Sequence, residues 1–262
     1  MKQKTWSTLV VLGLGLSLLM AQGFKPALRT LRASAHPNVA LAAQDDIVTV
    51  TIDALKDNTL YEDRDGALSN AKGSYFFAGA TRTGSVRRGL ISFDIAGNIP
   101  PGSIIVDVAL QLHMSRTIAG PQTVGLYRVL ADWGEGNSQA GGDEGSGAPA
   151  ARGDATWLHR FYDTEFWATR GGDFAVPASA SAVVDDIGVY TWASTPQLVS
   201  DVKGWLDQPQ SNFGWLVLGF EGGPSTAKRF NSREHPESDT HPLLTVQYWM
   251  GYRAYLPITQ KN

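Results

Sequence analysis

The sequence predicts an all-β protein, a sandwich or barrel, and three observations carry that expectation. Stretches of period-two alternation recur along the chain, Gly- and Pro-rich turns separate them, and helical spacing is scarce. A strand with one face on a core and one in water alternates apolar and polar residues, because successive side chains point to opposite faces. VDVALQLHMS is the clearest case: Val106, Val108, Leu110, Leu112 and Met114 share one face, and Asp107, Gln111, His113 and Ser115 the other. VTVTIDAL sets Val48, Val50 and Ile52 against Thr49, Thr51 and Asp53. RGLISFDI points Ile91, Phe93 and Ile95 inward, and VGLYRVLADW, GWLVLGFE and LLTVQYW add strands from Val124, Gly214 and Leu243. Asn98-Ile-Pro-Pro-Gly102 and Gly222-Gly223-Pro224 have the composition of turns.

One segment, TPQLVSDVKGWLDQP, breaks the pattern. Thr195 is a capping residue, and Pro196 suits the first helical position, where its missing N–H is not needed. Leu198, Val202, Trp205 and Leu206 then fall on one helical face, Gly204 weakens the last turn, and Pro209 ends it. The spacing predicts one short amphipathic helix closing a side of the sandwich. A second break is GEGNSQAGGDEGSGAPAARGD, residues 134–154, too polar and glycine-rich for a strand. A loop of that length inside a compact domain is either functional or mobile.

The N-terminus reads MKQKTWS and then TLVVLGLGLSLLM, a basic start followed by an apolar run too short to span a bilayer comfortably. Small-residue patterns at Ala33-Ser34-Ala35 and Ala40-Leu41-Ala42 are candidate cleavage sites. The expected organisation is a signal peptide and leader over 1–43, with an uncleaved anchor as the alternative, a single β-sandwich domain over 44–249, and a short aromatic tail over 250–262. It implies a secreted or cell-surface protein with no membrane span in the mature chain. Five of the 22 lysines and arginines lie in the first 43 residues, which hold no acid, so the remainder sets 17 cations against 25 acids, a net charge near −8. Such a surface excludes a general binder of nucleic acid or anionic membrane and confines any anionic ligand to a local basic patch. The absence of cysteine excludes disulfides, thiolate metal sites and a cysteine nucleophile. Burial alone must hold the fold, and a domain of roughly two hundred residues buries about 70% of its unfolded surface.

Catalytic signatures are missing. The chain has no G-x-S-x-G elbow, no H-E-x-x-H helix and no P-loop, and no pair among its 25 acids stands out as suited to sugar-bond cleavage. Binding candidates are easier to find. KGSYFFAGATRTGSVRR, read as a loop between two early strands, carries Lys72, Arg82, Arg87 and Arg88 with Tyr75 close by. The group either lines a groove for an anionic polysaccharide, with Tyr75 as a stacking platform, or is a solvated hairpin. In KRFNSREHPESDTHP, an inward Phe230 turns Arg229 and Arg233 the other way if the strand runs on. Their guanidinium groups suit the carboxylate of a uronate sugar, or pair with Glu234 or Glu221 and pin the strand ends. His235, Glu237, Asp239 and His241 alternate like metal ligands, but Pro236 and Pro242 disfavour an extended strand, so the segment reads as a loop. Asp63 and Asp65, in YEDRDG, are calcium candidates, although the bidentate Glu of a calcium loop is missing. After Trp6, every tryptophan lies at or beyond Trp133. Trp205 and Trp249 are expected in the core. Trp133, Trp157 and Trp167 sit beside loops, where they either stack on sugars or, more simply, fill the core.

The order of motifs adds a resemblance. FDIAGNIPPGSIIVDVALQL, LYRVLADWGEG, DATWLHRF, DVKGWLDQPQSNFGWLVLGFE, KRFNSRE and PLLTVQYW follow one another across about residues 47–249. That order resembles the DNRLRE-domain family of exported bacterial β-sandwich domains, which overlaps an alginate-binding carbohydrate-binding module family. The resemblance implies a jelly-roll-type β-sandwich without catalytic machinery. No cofactor is expected, with calcium left open at Asp63 and Asp65. Its implied partner is a polysaccharide, an acidic one such as a polyuronate. The alternative is a structural or adhesive cell-surface domain with no small ligand.

Overall fold

A computed structural model describes residues 47–250, so the leader and all of the tail beyond Met250 lie outside the described residues. The described residues are mostly β with two short helices. In order it runs β1 (Val48–Tyr61), β2 (Leu68–Ser69), β3 (Tyr75–Ala80), β4 (Val86–Phe93), α1 (Ile95–Asn98), β5 (Ser103–Thr117), β6 (Gln122–Arg128) and β7 (Ala148–Pro149). It continues through β8 (His159–Phe161), β9 (Glu165–Phe166), β10 (Ala180–Val184), β11 (Gly188–Trp192), α2 (Pro196–Asp207), β12 (Trp215–Leu218), β13 (Lys228–Asn231) and β14 (Leu243–Met250). Among the described residues no helix is long and apolar enough to cross a membrane.

Two strands decide the architecture. The first half of β1 pairs with β14; after an irregularity between Ala54 and Lys56, its second half pairs with β4. β3 likewise pairs with β13 over Tyr75–Ala78 and then with β4 at Gly79 and Ala80. At the switch Gly79 has φ +105°, and a Cβ there would lie 2.8 Å from the Thr226 carbonyl oxygen, so the crossing needs glycine. Because β13 and β14 both pair with β5, the ring β1-β14-β5-β13-β3-β4 closes as a six-stranded antiparallel barrel. β12, β6 and β10 extend it beyond β4, and β11 adds to the other side of β5. The all-β expectation holds. The expected jelly-roll sandwich does not describe the closure, because β1 and β3 each serve both layers.

The main core gathers Phe76, Ile91, Phe93, Leu110, Met114 and Phe230 from the ring strands with Trp192 and Trp215 from the flanking β11 and β12. Helix α2 closes it as its spacing predicts: Leu198, Val202, Trp205 and Leu206 are buried, and Trp205 meets Trp215 edge-on at 4.5 Å between ring centres. The Thr195 hydroxyl accepts the Leu198 N–H at 3.0 Å, a cap worth about 1 kcal/mol. On the same helix face lies the buried Asp201, which accepts from Ser179 Oγ and Trp215 Nε1. A second core sits outside the barrel wall, where Leu60, Leu90 and Leu216 meet Trp133, Trp157 and Trp167 from the overlying loops. Those three tryptophans therefore fill a core and offer no exposed ring for a sugar.

Three details differ from the sequence reading. Val106 is 40% exposed, not inward, because Tyr248 pairs with Ile105 while Gln247 pairs with Asp107, and the resulting bulge inverts the phase of β5. Trp249 is half-buried on the outer side of β14, and its neighbour Tyr248 takes the inward position. Residues 72–88 are not one loop: Tyr75–Ala80 and Val86–Phe93 are strands, joined by a turn over 81–85.

Candidate functional site

Sequence reasoning singled out Lys72, Tyr75, Arg82, Arg87, Arg88, Arg229 and Arg233, and the fold distributes them among separate places. Arg87 and Arg88 are neighbours on β4, so the pleat sends them to opposite faces. Arg88 donates from Nε and Nη2 to the two carboxylate oxygens of Glu221 at 2.7 and 2.8 Å, and from Nη1 to the Gly171 carbonyl at 2.8 Å. It also lies over the Trp157 ring at 4.9 Å. Its fork is filled by an internal carboxylate, and it anchors the second core.

Lys72 and Arg233 belong to a cluster at the end of β13. Glu135 bonds Lys72 Nζ and accepts from Arg233 Nε at 3.0 Å, while Glu234 lies 3.3 Å from Lys72 Nζ and 3.1 Å from Arg233 Nε. Beneath them the buried Asp57 accepts the Arg233 backbone N–H at 2.8 Å. Three carboxylates thus face two cations. Burial first, and then the charges of Glu234 and Glu135, hold the Asp57 carboxyl well above the usual carboxylate range, against the Arg233 hydrogen bond. Burial and the nearby Glu135 also raise Glu234, despite Arg233 and Lys72. Burial pulls on Lys72 in the opposite sense, but the hydrogen bond and charge of Glu135 outweigh it and leave Lys72 raised. This cluster ties β1, the 134–154 loop and β13 together.

Arg82, Arg87 and Arg229 do come together, and Arg116, which sequence reasoning missed, joins them. All four line one pocket of about 240 Å³ whose wall also includes Phe77, Ile118 and Asp143. Arg87 is only 7% exposed. Its Nε donates to the Gly145 carbonyl at 3.1 Å, and its Nη1 donates to Ser85 Oγ at 2.7 Å and the Val86 carbonyl at 2.8 Å. The guanidinium carbon lies 4.7 Å from the centre of the Tyr61 ring. Burial lowers the Arg87 pKa, with Tyr61 and Glu62 opposing that shift. Arg229 donates from Nε to Ser115 Oγ at 3.2 Å, and its guanidinium carbon lies over Tyr75, 3.7 Å from the ring centre. Tyr75 is therefore a platform for an arginine of the pocket, with His235 packed 5.4 Å away, and not a free stacking surface. Asp143 lies 2.5 Å from Arg116 Nη1 and 3.6 Å from Arg229 Nη1. Neither Arg82 nor Arg87 has an ion-pair partner among the described residues.

The glycine-rich loop supplies part of this wall and is firmly held. Glu144 accepts from Ser74 N–H, Tyr75 N–H and Asn70 Nδ2 at 3.0, 2.9 and 2.8 Å. Asp154 accepts from Asn137 and Ala151 N–H groups at 2.8 and 2.6 Å, and Gly136, at φ +77°, leaves room for it. The loop thereby fixes Asp143 and Gly145 against the arginines.

No family model matches the chain, and no curated protein is significantly similar to it. The other candidates lie elsewhere. Asp63 caps its own turn, accepting the Ala67 N–H at 2.9 Å, and Asp65 is exposed. The histidine segment closes on itself through a short 3-10 turn, with His235 Nδ1 accepting the Glu237 N–H and His241 Nε2 against the His235 carbonyl. Among the described residues no three His, Asp or Glu side chains gather as metal ligands.

Proposed function

We propose that this chain is an exported, non-catalytic domain that binds an acidic polysaccharide, and that the pocket of Arg82, Arg87, Arg116 and Arg229 is its site. The observation that carries the reading is the gathering of four arginines along one cavity whose lining holds a single carboxylate, Asp143, in a chain whose net charge is negative. Phe77 and Ile118 supply an apolar wall for the C–H face of a sugar ring, and the arginines supply charge for its acid group. A polyuronate fits the resemblance to alginate-binding modules. The same reading takes the fold as a jelly-roll-type sandwich whose layers have merged along one side. It is supported by the two layers that remain distinct beyond β4 and β5.

Affinity electrophoresis in gels containing alginate, pectate or a neutral glucan tests the proposal. Retardation in the acidic gels alone is expected. Equal mobility in every gel, with and without polysaccharide, would remove the binding claim. A second reading, a structural or adhesive surface domain, is favoured by the internal pairing of Lys72, Arg88 and Arg233 with acids. It predicts no retardation in any gel.

A further inference from the structure

Asp143 stands where the acid group of a ligand fits best. Its Oδ1 lies 2.5 Å from Arg116 Nη1 and 3.6 Å from Arg229 Nη1, so one carboxylate oxygen bridges two of the four arginines along the pocket. The Arg229 side chain is only 14% exposed, and its Nε is committed to Ser115. The edge it can offer an anion is therefore the Nη pair, and Asp143 lies beside that edge. An acid group that takes it meets a like charge already in place. Yet Asp143 is placed without being gripped. Its side chain is 70% exposed and that of Arg116 is 53% exposed, and an ion pair so open to water contributes little. The loop around it is pinned on both sides: the Ala140 N–H donates to Asn70 Oδ1 at 2.8 Å, and Glu144 accepts from Ser74, Tyr75 and Asn70. Only Gly141, Gly142 and Asp143 stand between those anchors, and the space beside both glycines is open to at least 4 Å. The Asp143 side chain can thus turn away from the arginines while the anchors keep the pocket wall in place.

We infer that Asp143 is a displaceable internal competitor: its carboxylate holds the place between Arg116 and Arg229 that the ligand's acid group takes on binding. This rests on the reading of the pocket as an acidic-polysaccharide site and adds how the affinity of that site is set. The acid group accepts from the Nη groups of Arg229 and Arg116, and Asp143 turns out into water. The energy of the internal ion pair is subtracted from the affinity, which keeps binding of each acidic unit weak and reversible.

The test titrates the full chain with trigalacturonate and with neutral maltotriose, thermal melting confirming that each variant is folded. Asp143→Asn should bind trigalacturonate about three- to fivefold more tightly than the parent, the size of one exposed ion pair. Asp207→Asn removes an equal charge from the exposed Lys203 pair on α2, outside the pocket lining, and should change binding by less than about 1.5-fold. Arg116→Gln should weaken binding more in the Asp143→Asn background than in the parent, because only in the parent must Arg116 first be freed. Equal costs of Arg116→Gln in the two backgrounds mean repulsion without displacement and overturn the inference. Unchanged or weaker binding in Asp143→Asn, or an equal gain in Asp207→Asn, also overturns it and leaves the acidic-polysaccharide reading standing. Binding of trigalacturonate by neither the parent nor any variant, or equal binding of maltotriose, overturns the underlying reading as well.

Discussion

Lys228 offers a sharp test of how the barrel is held. It is fully buried beside Phe230, and its ammonium donates to the carbonyls of Ala119, Gly120 and Asp185 at 3.1, 2.9 and 2.8 Å. One side chain thereby ties the β5–β6 connection to the β10–β11 turn. Burial lowers its pKa, with Asp185 and Asp186 opposing, yet three carbonyls aimed at one nitrogen require the charged form. Lys228→Met keeps length and apolar bulk but removes all three donations. A hydrogen bond to a charged group contributes roughly 1.5–3 kcal/mol, so three give about 5 kcal/mol or more before correction. Relief of the buried ammonium and rehydration of the turn carbonyls offset part of that, leaving a loss of about 3 kcal/mol. For a domain of this size the loss lowers Tm by roughly 6–12 °C. Urea unfolding followed by tryptophan fluorescence should show a lower midpoint with an unchanged slope. A variant as stable as the parent, or more so, would refute the account of this lysine as a structural tie.

Two further outcomes concern the neighbouring carboxylates. Asp57 has a raised native pKa, so its favourable contribution is present below the unfolded value near 3.9 and is lost as pH rises through the native value. Asp57→Asn keeps an oxygen for the Arg233 N–H and should be more stable than the parent at pH 7 by about 1 kcal/mol, the gap closing toward pH 4. Urea titrations at three pH values check this, and a gap that does not change with pH contradicts it. Glu144→Ala strands three donors, those of Ser74, Tyr75 and Asn70, and should cost about 3 kcal/mol. Limited trypsin digestion should then cut first at Arg152 within the loosened loop; unchanged resistance there would contradict the anchoring role.

Much of the fold was legible because its signals are local. The alternation of Leu110, Leu112 and Met114 and the Thr195-Pro196 cap each reflect contacts within one element, and both appear where the sequence placed them. The bulge at Val106 was hidden because it depends on β14, far along the chain. The closure of the barrel was hidden for the same reason: nothing local in VTVTIDALKDNTLY announces a change of partner midway. At the site, period-two spacing separates Arg87 from Arg88 and turns Lys228 inward with Phe230. Arg116 stood in an ordinary outward position on β5, and only the pairing of β5 with β13 brings it opposite Arg229.

Calorimetric titration of one acidic oligosaccharide into the parent and into two sets of variants tests the binding claim most directly. Arg82→Gln combined with Arg116→Gln alters the pocket, and Lys72→Gln alters the separate carboxylate cluster. The pocket pair should weaken binding by at least about tenfold, as loss of charge-assisted contacts demands, while Lys72→Gln should change it by less than about twofold. Undiminished affinity in the pocket pair, or a loss confined to Lys72→Gln, would place the site elsewhere and contradict the account.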